Sequence, residues 1–239
     1  MDDETRGVIG VLGGMGPLAT IDFMRKVLDA TPADADQDHV PLIVSSIPQV
    51  PDRAAAFRGE GVSPLGAMVA SGKRLVRAGA SLVVIPCNTA HLWFDDVRSA
   101  LALPMLHLVD AALADVVASV GAGATIGLLC TDATLASGLY TNRAPQVRWA
   151  LPTSREMQDW VSPGIQAVKA GELGRGGELL GAAAQALLRR GAQALVLGCT
   201  EVPLVLGPSN VPVPVIDATA SLARRAVAWS LAERTPTGA

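Results

Sequence analysis

Eight short runs rich in Val, Ile and Leu, at 8–12, 40–45, 82–86, 105–108, 125–129, 147–150, 194–197 and 213–216, are separated by longer stretches of helical period. Strands spaced this way cannot pair as hairpins. They need crossover connections, and crossovers give parallel sheets covered by helices on both faces. The expected fold class is therefore α/β, and 239 residues suffice for one large domain or two modest ones with real cores.

Helix punctuation is legible in several places. Pro17 can open the first helix, Ser63-Pro64 reads as an N-cap followed by proline, and Thr153 stands at capping-box distance from Glu156. Pro163-Gly164 interrupts or begins another helix. The stretch 49–61, QVPDRAAAFRGEG, has proline near its start, glycine at its end and no strand period, so it is expected to be a loop that can cover a site.

A faint duplication organises the chain. VIGVLGG near the start matches TIGLLCT, with Gly10 opposite Gly127 at an offset of 117. RAGASLVVIPCNT then matches RRGAQALVLGCTE, with Cys87 opposite Cys199 at an offset of 112, and LVDA matches VIDA at an offset of 107. Three blocks in the same order imply two pseudo-symmetric lobes, each a parallel sheet flanked by helices, with a cleft between them. The first lobe is expected to span 1–113 plus 216–239, with the carboxyl-terminal helix returning to it, and the second 114–215.

Composition removes several function classes. A net charge of −3 and an aromatic share of 3% offer neither a basic stripe nor stacking platforms for nucleic acid. The most apolar stretch, 101–117, is broken by Pro104, His107, Asp110 and Asp115, so no membrane span is expected. The opening MDDETR is unlike a secretory signal, which points to a cytoplasmic setting in which three cysteines stay as free thiols.

The thiols are the chemical clue. Cys87 in LVVIPCNTAH and Cys199 in ALVLGCTEVP each end an apolar strand, at the sheet edge where ligands of parallel sheets bind. If the lobes face one another, each contributes one thiol to the same cleft. A thiol at a helix N-terminus is expected to have a lowered pKa. The neighbouring N–H groups, the loop 13–16 (GGMG) and the hydroxyls of Thr89 and Thr200 can hold a carboxylate and the charge that develops on it. Cys130 faces Gly13 in the duplication and reads as core. Two thiols flanking one carbon suit a racemase that takes a proton from one face and returns one to the other, with no metal or pyridoxal cofactor implied.

The motifs PCNTAH and GCTE, with GGMGP before them and PQVPDR between, resemble the aspartate/glutamate racemase superfamily, in its aspartate racemase branch. The resemblance implies cofactor-independent racemisation of a small dicarboxylic amino acid, aspartate or glutamate, and a homodimer. It makes Cys87 and Cys199 the acid/base pair. Gly14, Met15, Arg53, Asn88, Thr89, Thr131, Lys169, Thr200 and Glu201 are its substrate-binding candidates, with Arg53 and Lys169 at positions the family uses for substrate carboxylates. Glutamate racemases differ in carrying an Asp-Ser pair in the first glycine-rich loop and a histidine where Glu201 stands. Ser45, Ser46 and Ile47 replace the asparagines of related aspartate racemases, an exchange expected to bear on side-chain recognition.

Other readings stand beside this one. GMGPLA fits a dinucleotide glycine pattern, but Pro17 follows its second glycine and no acidic residue ends the strand near Ser46. Cys87 and His91 are spaced for a shared zinc, with Cys199 as a third ligand. Against that, His91 is expected to pack or cap near a helix start, and His107 to be a satisfied core residue. A superfamily isomerase of the maleate isomerase or hydantoin racemase type, or a non-catalytic two-lobed carboxylate binder, completes the alternatives.

Overall fold

The computed structural model describes residues 6–120 and 123–232, so all of MDDETR except Arg6 lies outside the described residues. In chain order the elements are β1 (Ile9–Gly13), α1 (Pro17–Ala30), β2 (Leu42–Ser46), α2 (Arg53–Phe57), α3 (Leu65–Arg77), β3 (Leu82–Val84), α4 (Phe94–Leu101), β4 (Met105–Leu106) and α5 (Leu108–Ser119). There follow β5 (Thr125–Cys130), α6 (Asp132–Ala136), β6 (Arg148–Ala150), α7 (Ser154–Glu156), α8 (Ser162–Lys169), α9 (Leu173–Arg189), β7 (Ala194–Gly198), β8 (Val215–Asp217) and α10 (Ala218–Ala232). All eight apolar runs are strands.

The strands form two four-stranded parallel sheets, ordered β2-β1-β3-β4 and β6-β5-β7-β8. The second order is the first shifted by four strands, which is the architecture the duplication implies. Local packing repeats as well. A Cβ on Gly10 would stand 2.7 Å from Ala80 Cβ, and one on Gly127 would stand 2.4 Å from Leu195 and 3.3 Å from Ala192. Each glycine lets the central strand meet the turn that leads into its neighbour.

Period-two alternation sorts the strand residues into layers. Ile9, Val11, Leu82 and Val84 of the first sheet share one core with Ile126, Leu128, Ala194 and Val196 of the second, filled by residues of α1, α5 and α10. The opposite faces bury Leu12, Val83 and Ile85 beneath α3 and α4, and Leu129, Leu195 and Leu197 beneath α8 and α9. The expected lobe edges at 113/114 and 215/216 fall within α5 and β8. At the second of these, the Asp217 carboxylate caps α10 through the N–H groups of Thr219 and Ala220, and α10 packs against both α1 and α5.

Two local expectations change, and a third, that Pro163 interrupts or begins a helix, is met. The segment 49–61 is not all loop: Asp52 accepts the Ala55 N–H at 2.7 Å and caps the short helix α2. Pro64 is itself the cap of α3, while Ser63 Oγ accepts the Leu65 N–H. Pro163 stands in the first turn of α8, which continues from a π-helical turn, Met157–Val161. The Thr153–Glu156 pair does form its capping box. Among the described residues no helix is long and apolar enough to cross a membrane.

Candidate active site

β3 and β7 occupy equivalent places in the two sheets, so the turns after them emerge at equivalent edges. Cys87 and Cys199 sit on those turns. Both thiols line one cavity with Met15, Asp52, Arg53, Ala54, Asn88, Thr89, Thr131, Lys169, Thr200 and Glu201. The two cysteines are 6% and 5% exposed, and the cavity volume is about 20 Å³, room for about one water.

Gly14 stands outside this lining. Its N–H donates to Thr20 Oγ1 at 2.8 Å, and at a φ of +88° it lies where a Cβ would be 2.4 Å from the Ile47 backbone. That donor is spent on holding the loop. Ile47 packs against the core on this side of the sheet and does not line the cavity. Asp52 and Ala54, which no sequence pattern marks as site residues, enter through helix α2 and its cap.

The polar side chains are arranged as a set of fixed donors. Arg53 Nη1 donates to the carbonyls of Val50 and Pro51 at 3.1 and 3.0 Å, while its buried Nε has no partner among the described residues. Thr89, from the first half of the chain, meets Thr131 and Thr134, from the second, with oxygen separations of 2.9 and 3.0 Å. Thr131 also caps α6 through the Thr134 N–H. Asn88 is buried, and its Nδ2 has no partner among the described residues. Burial raises the Asp52 carboxyl, but the Ala55 N–H and then the Lys169 charge hold it below its ordinary value.

The second thiol departs from expectation. Cys199 Sγ donates to Glu201 Oε2 at 3.0 Å, and Thr200 Oγ1 donates to the same oxygen at 3.2 Å. Burial, and then the Glu201 carboxylate, push the Cys199 pKa well above the ordinary thiol value, although Lys169 pulls the other way. The expected lowering by a helix dipole has little to act through here, because only a short 3₁₀ turn, Val202–Leu204, follows Cys199. Cys199 therefore rests as a thiol. Cys130 is fully buried, as expected of core, and burial raises its pKa too.

His91 lies behind Cys87 rather than in the cavity. Its Nδ1 is 2.8 Å from the Cys87 carbonyl and its Nε2 accepts the Leu108 N–H at 3.0 Å. The ring is thus neutral with the proton on Nδ1, and neither nitrogen has a lone pair left for the zinc considered above. His107 is not satisfied: it precedes α5 rather than lying within a strand, and neither ring nitrogen has a hydrogen-bond partner among the described residues. Burial holds both rings down to about 3, with His107 beside His91 and with Arg143 and Arg98 near His107 adding to it.

A native state that refuses these protons loses stability as pH falls from about 6.5 toward about 3, because the unfolded chain takes them up. His107→Leu is expected to lose on the order of 2 kcal/mol less than the wild type between pH 7.5 and 4.5. Denaturant titration at the two pH values checks this, and identical pH dependence in both proteins would contradict it.

Comparison with known proteins now places the chain. The sequence profile of the Asp/Glu/Hydantoin racemase family matches residues 12–226. The chain belongs to that family. The structure of Picrophilus torridus aspartate racemase superposes with a TM-score of 0.82 at 30% identity, covering 92% of each chain. The broad specificity amino-acid racemase RacX of Bacillus subtilis is 26% identical over 94% of this chain and 99% of its own. A glutamate racemase of Acidothermus cellulolyticus is 30% identical over 83% of this chain and 71% of its own.

Proposed function

We propose that the chain is a racemase of an acidic amino acid, aspartate or glutamate, which moves protons between Cys87 and Cys199 without pyridoxal or metal. The observation that carries this reading is that one cavity is lined by both thiols together with carboxylate-matching donors. Family membership supports the coarser statement, amino-acid racemase. The lining carries two cations, Arg53 and Lys169, and two carboxylates, Asp52 and Glu201. With Glu201 engaged by Cys199 and Thr200, the two cations and Asp52 complement a zwitterion with one extra carboxylate.

In this scheme the α-carboxylate lies against the Asn88 amide and the hydroxyls of Thr89 and Thr200. The side-chain carboxylate lies against Arg53 and Lys169. Cys87, as thiolate, takes the Cα proton, leaving an enediolate whose second negative charge the same donors stabilise. The Cys199 thiol, held protonated by burial and Glu201, delivers its proton to the opposite face and becomes the thiolate. The enantiomer runs the same steps in reverse. Two catalytic thiols need to stay reduced, which fits the cytoplasmic setting expected from the sequence.

A cavity of about 20 Å³ cannot hold an amino acid, so the substrate enters by an opening of the site. The part best placed to move is the five-residue helix α2, joined to α6 by the exposed pair Arg58–Asp132 at 2.8 Å. A solvent-exposed pair of this kind is a weak tether, so opening it costs little.

The homodimer implied by the resemblance has a candidate face. Leu18, Ile21, Met24 and Leu28 form an exposed apolar stripe on α1. Sedimentation of the wild type and of Ile21→Glu tests it: a dimer that the substitution splits supports this face, and a dimer that survives assigns the interface elsewhere.

The function itself is tested by a chiral assay. Purified protein treated with a chelator and stripped of pyridoxal phosphate is incubated with each enantiomer of aspartate, glutamate and a set of neutral and basic amino acids. Inversion of aspartate or glutamate in both directions is expected. Inversion of none of the set would remove the reading, and inversion of neutral or basic residues alone would remove the acidic specificity.

A further inference from the structure

Tyr140 lies beyond α6, outside the cavity lining, and is completely buried. A buried phenol needs a partner, and this one finds it in the other half of the chain: its O–H donates to Asn88 Oδ1 at 2.5 Å. With the amide oxygen so engaged, Nδ2 is the end of Asn88 left without a partner among the described residues, in a side chain that lines the cavity. The same ring reaches the opposite thiol turn. A Cβ on Gly198, the residue before Cys199, would stand 3.2 Å from Tyr140 Cε2. A single side chain thus touches the residue after one cysteine and the residue before the other.

We propose that Tyr140 is a positioning residue for the reaction: it locks the Asn88 amide with its NH₂ group toward the substrate carboxylate and braces the Gly198–Cys199 turn against the Cys87–Asn88 turn. This rests on the racemase reading of the cavity. Burial raises the Tyr140 pKa far above the ordinary phenol value, so the hydroxyl stays a donor throughout the working pH range. In the empty site an amide free to rotate would face its oxygen into the cavity about as readily as its NH₂, and turning it round would cost part of the binding energy. Locking the oxygen to a donor removes that wrong orientation before substrate arrives. The benefit is largest when the carboxylate becomes an enediolate, because the charge on those oxygens then rises.

Tyr140→Phe removes only the hydroxyl. It is expected to lower kcat/KM by about 10- to 100-fold, mostly through kcat, with the pH limbs of the profile unmoved. Asn88→Ala should cost at least as much, and adding Tyr140→Phe to Asn88→Ala should cost nothing more, since the two residues act as one unit. A brace with no part in orienting the amide would instead lower the active fraction, and its cost would multiply in the double variant. Wild-type kcat/KM in Tyr140→Phe, or multiplying losses in the double variant, would overturn the proposal while leaving the racemase reading intact. A wild type that inverts no amino acid would overturn both.

Should Tyr140→Phe fail to fold, as judged by circular dichroism, Asn88→Asp carries the test. Its carboxylate accepts a hydrogen bond from the Tyr140 O–H as the amide does but has no NH₂ to offer, so the fold is expected to persist while kcat/KM falls at least tenfold. Unchanged kcat/KM in that variant would also overturn the proposal.

Discussion

Cys87→Ser and Cys199→Ser are each expected to lower kcat/KM for inversion about a thousandfold or more, with circular dichroism unchanged. The size follows from the chemistry: a positioned acid or base contributes roughly 10²- to 10⁴-fold, and a serine hydroxyl is far less acidic than a thiol. Two features separate this from general damage to the site. Enantiomers have equal free energy, so kcat/KM must fall equally in both directions whichever cysteine is replaced. Exchange of Cα hydrogen with solvent need not fall equally, because each surviving thiol can still serve the one enantiomer whose Cα–H it faces. Cys87→Ser and Cys199→Ser should therefore retain slow exchange on opposite enantiomers. Residual exchange on the same enantiomer in both variants would contradict the two-sided arrangement, and so would full racemisation by either.

Glu201→Gln is expected to have the next largest effect, a loss of about 100-fold in kcat at neutral pH together with a displaced pH profile. The reaction needs the cysteine pair to hold one proton between them, and Glu201 keeps it on Cys199 by accepting the thiol hydrogen bond at 3.0 Å. Its charge also raises the Cys199 pKa, second only to burial. Replacing the carboxylate by an amide removes that charge, so the remaining proton is lost more readily as pH rises. The alkaline limb of kcat should move down by on the order of one pH unit. Thiolate absorbance, followed as pH rises, should appear earlier in the variant by a similar interval. A limb that stays in place or moves up would show that Glu201 acts on the substrate rather than on Cys199.

The parts of the fold that depend on short periods along the chain were legible in the sequence. The strands announce themselves by their apolar runs, and the duplication orders them, because a repeated βα pattern can satisfy its backbone in few ways. Helix α2 was not legible: five residues with three successive alanines have no face to alternate, and only the Asp52 cap, three residues before Ala55, could have betrayed it. The cysteines were found because their surroundings repeat.

What the sequence could not supply were contacts between distant segments. Gly14 looked like a free donor, yet Thr20, one turn into α1, takes its N–H. Tyr140 and Asn88 are 52 residues apart, and no local pattern marks a phenol as the partner of an amide. Position at the end of a strand points to a lowered Cys199 pKa, whereas burial and the carboxylate two residues on, whose direction only the folded turn fixes, raise it.

The central claim, that two thiols work on opposite faces of one Cα, is tested most directly by following hydrogen in the first turnovers. Unlabelled substrate enantiomer is converted in heavy water, and substrate and product are separated and weighed before a tenth has reacted. The account predicts product carrying deuterium at Cα and recovered substrate still carrying protium, because the proton removed goes to one sulfur and the one delivered comes from the other. Product that keeps the substrate's own hydrogen would contradict it, since a single base would then be serving both faces.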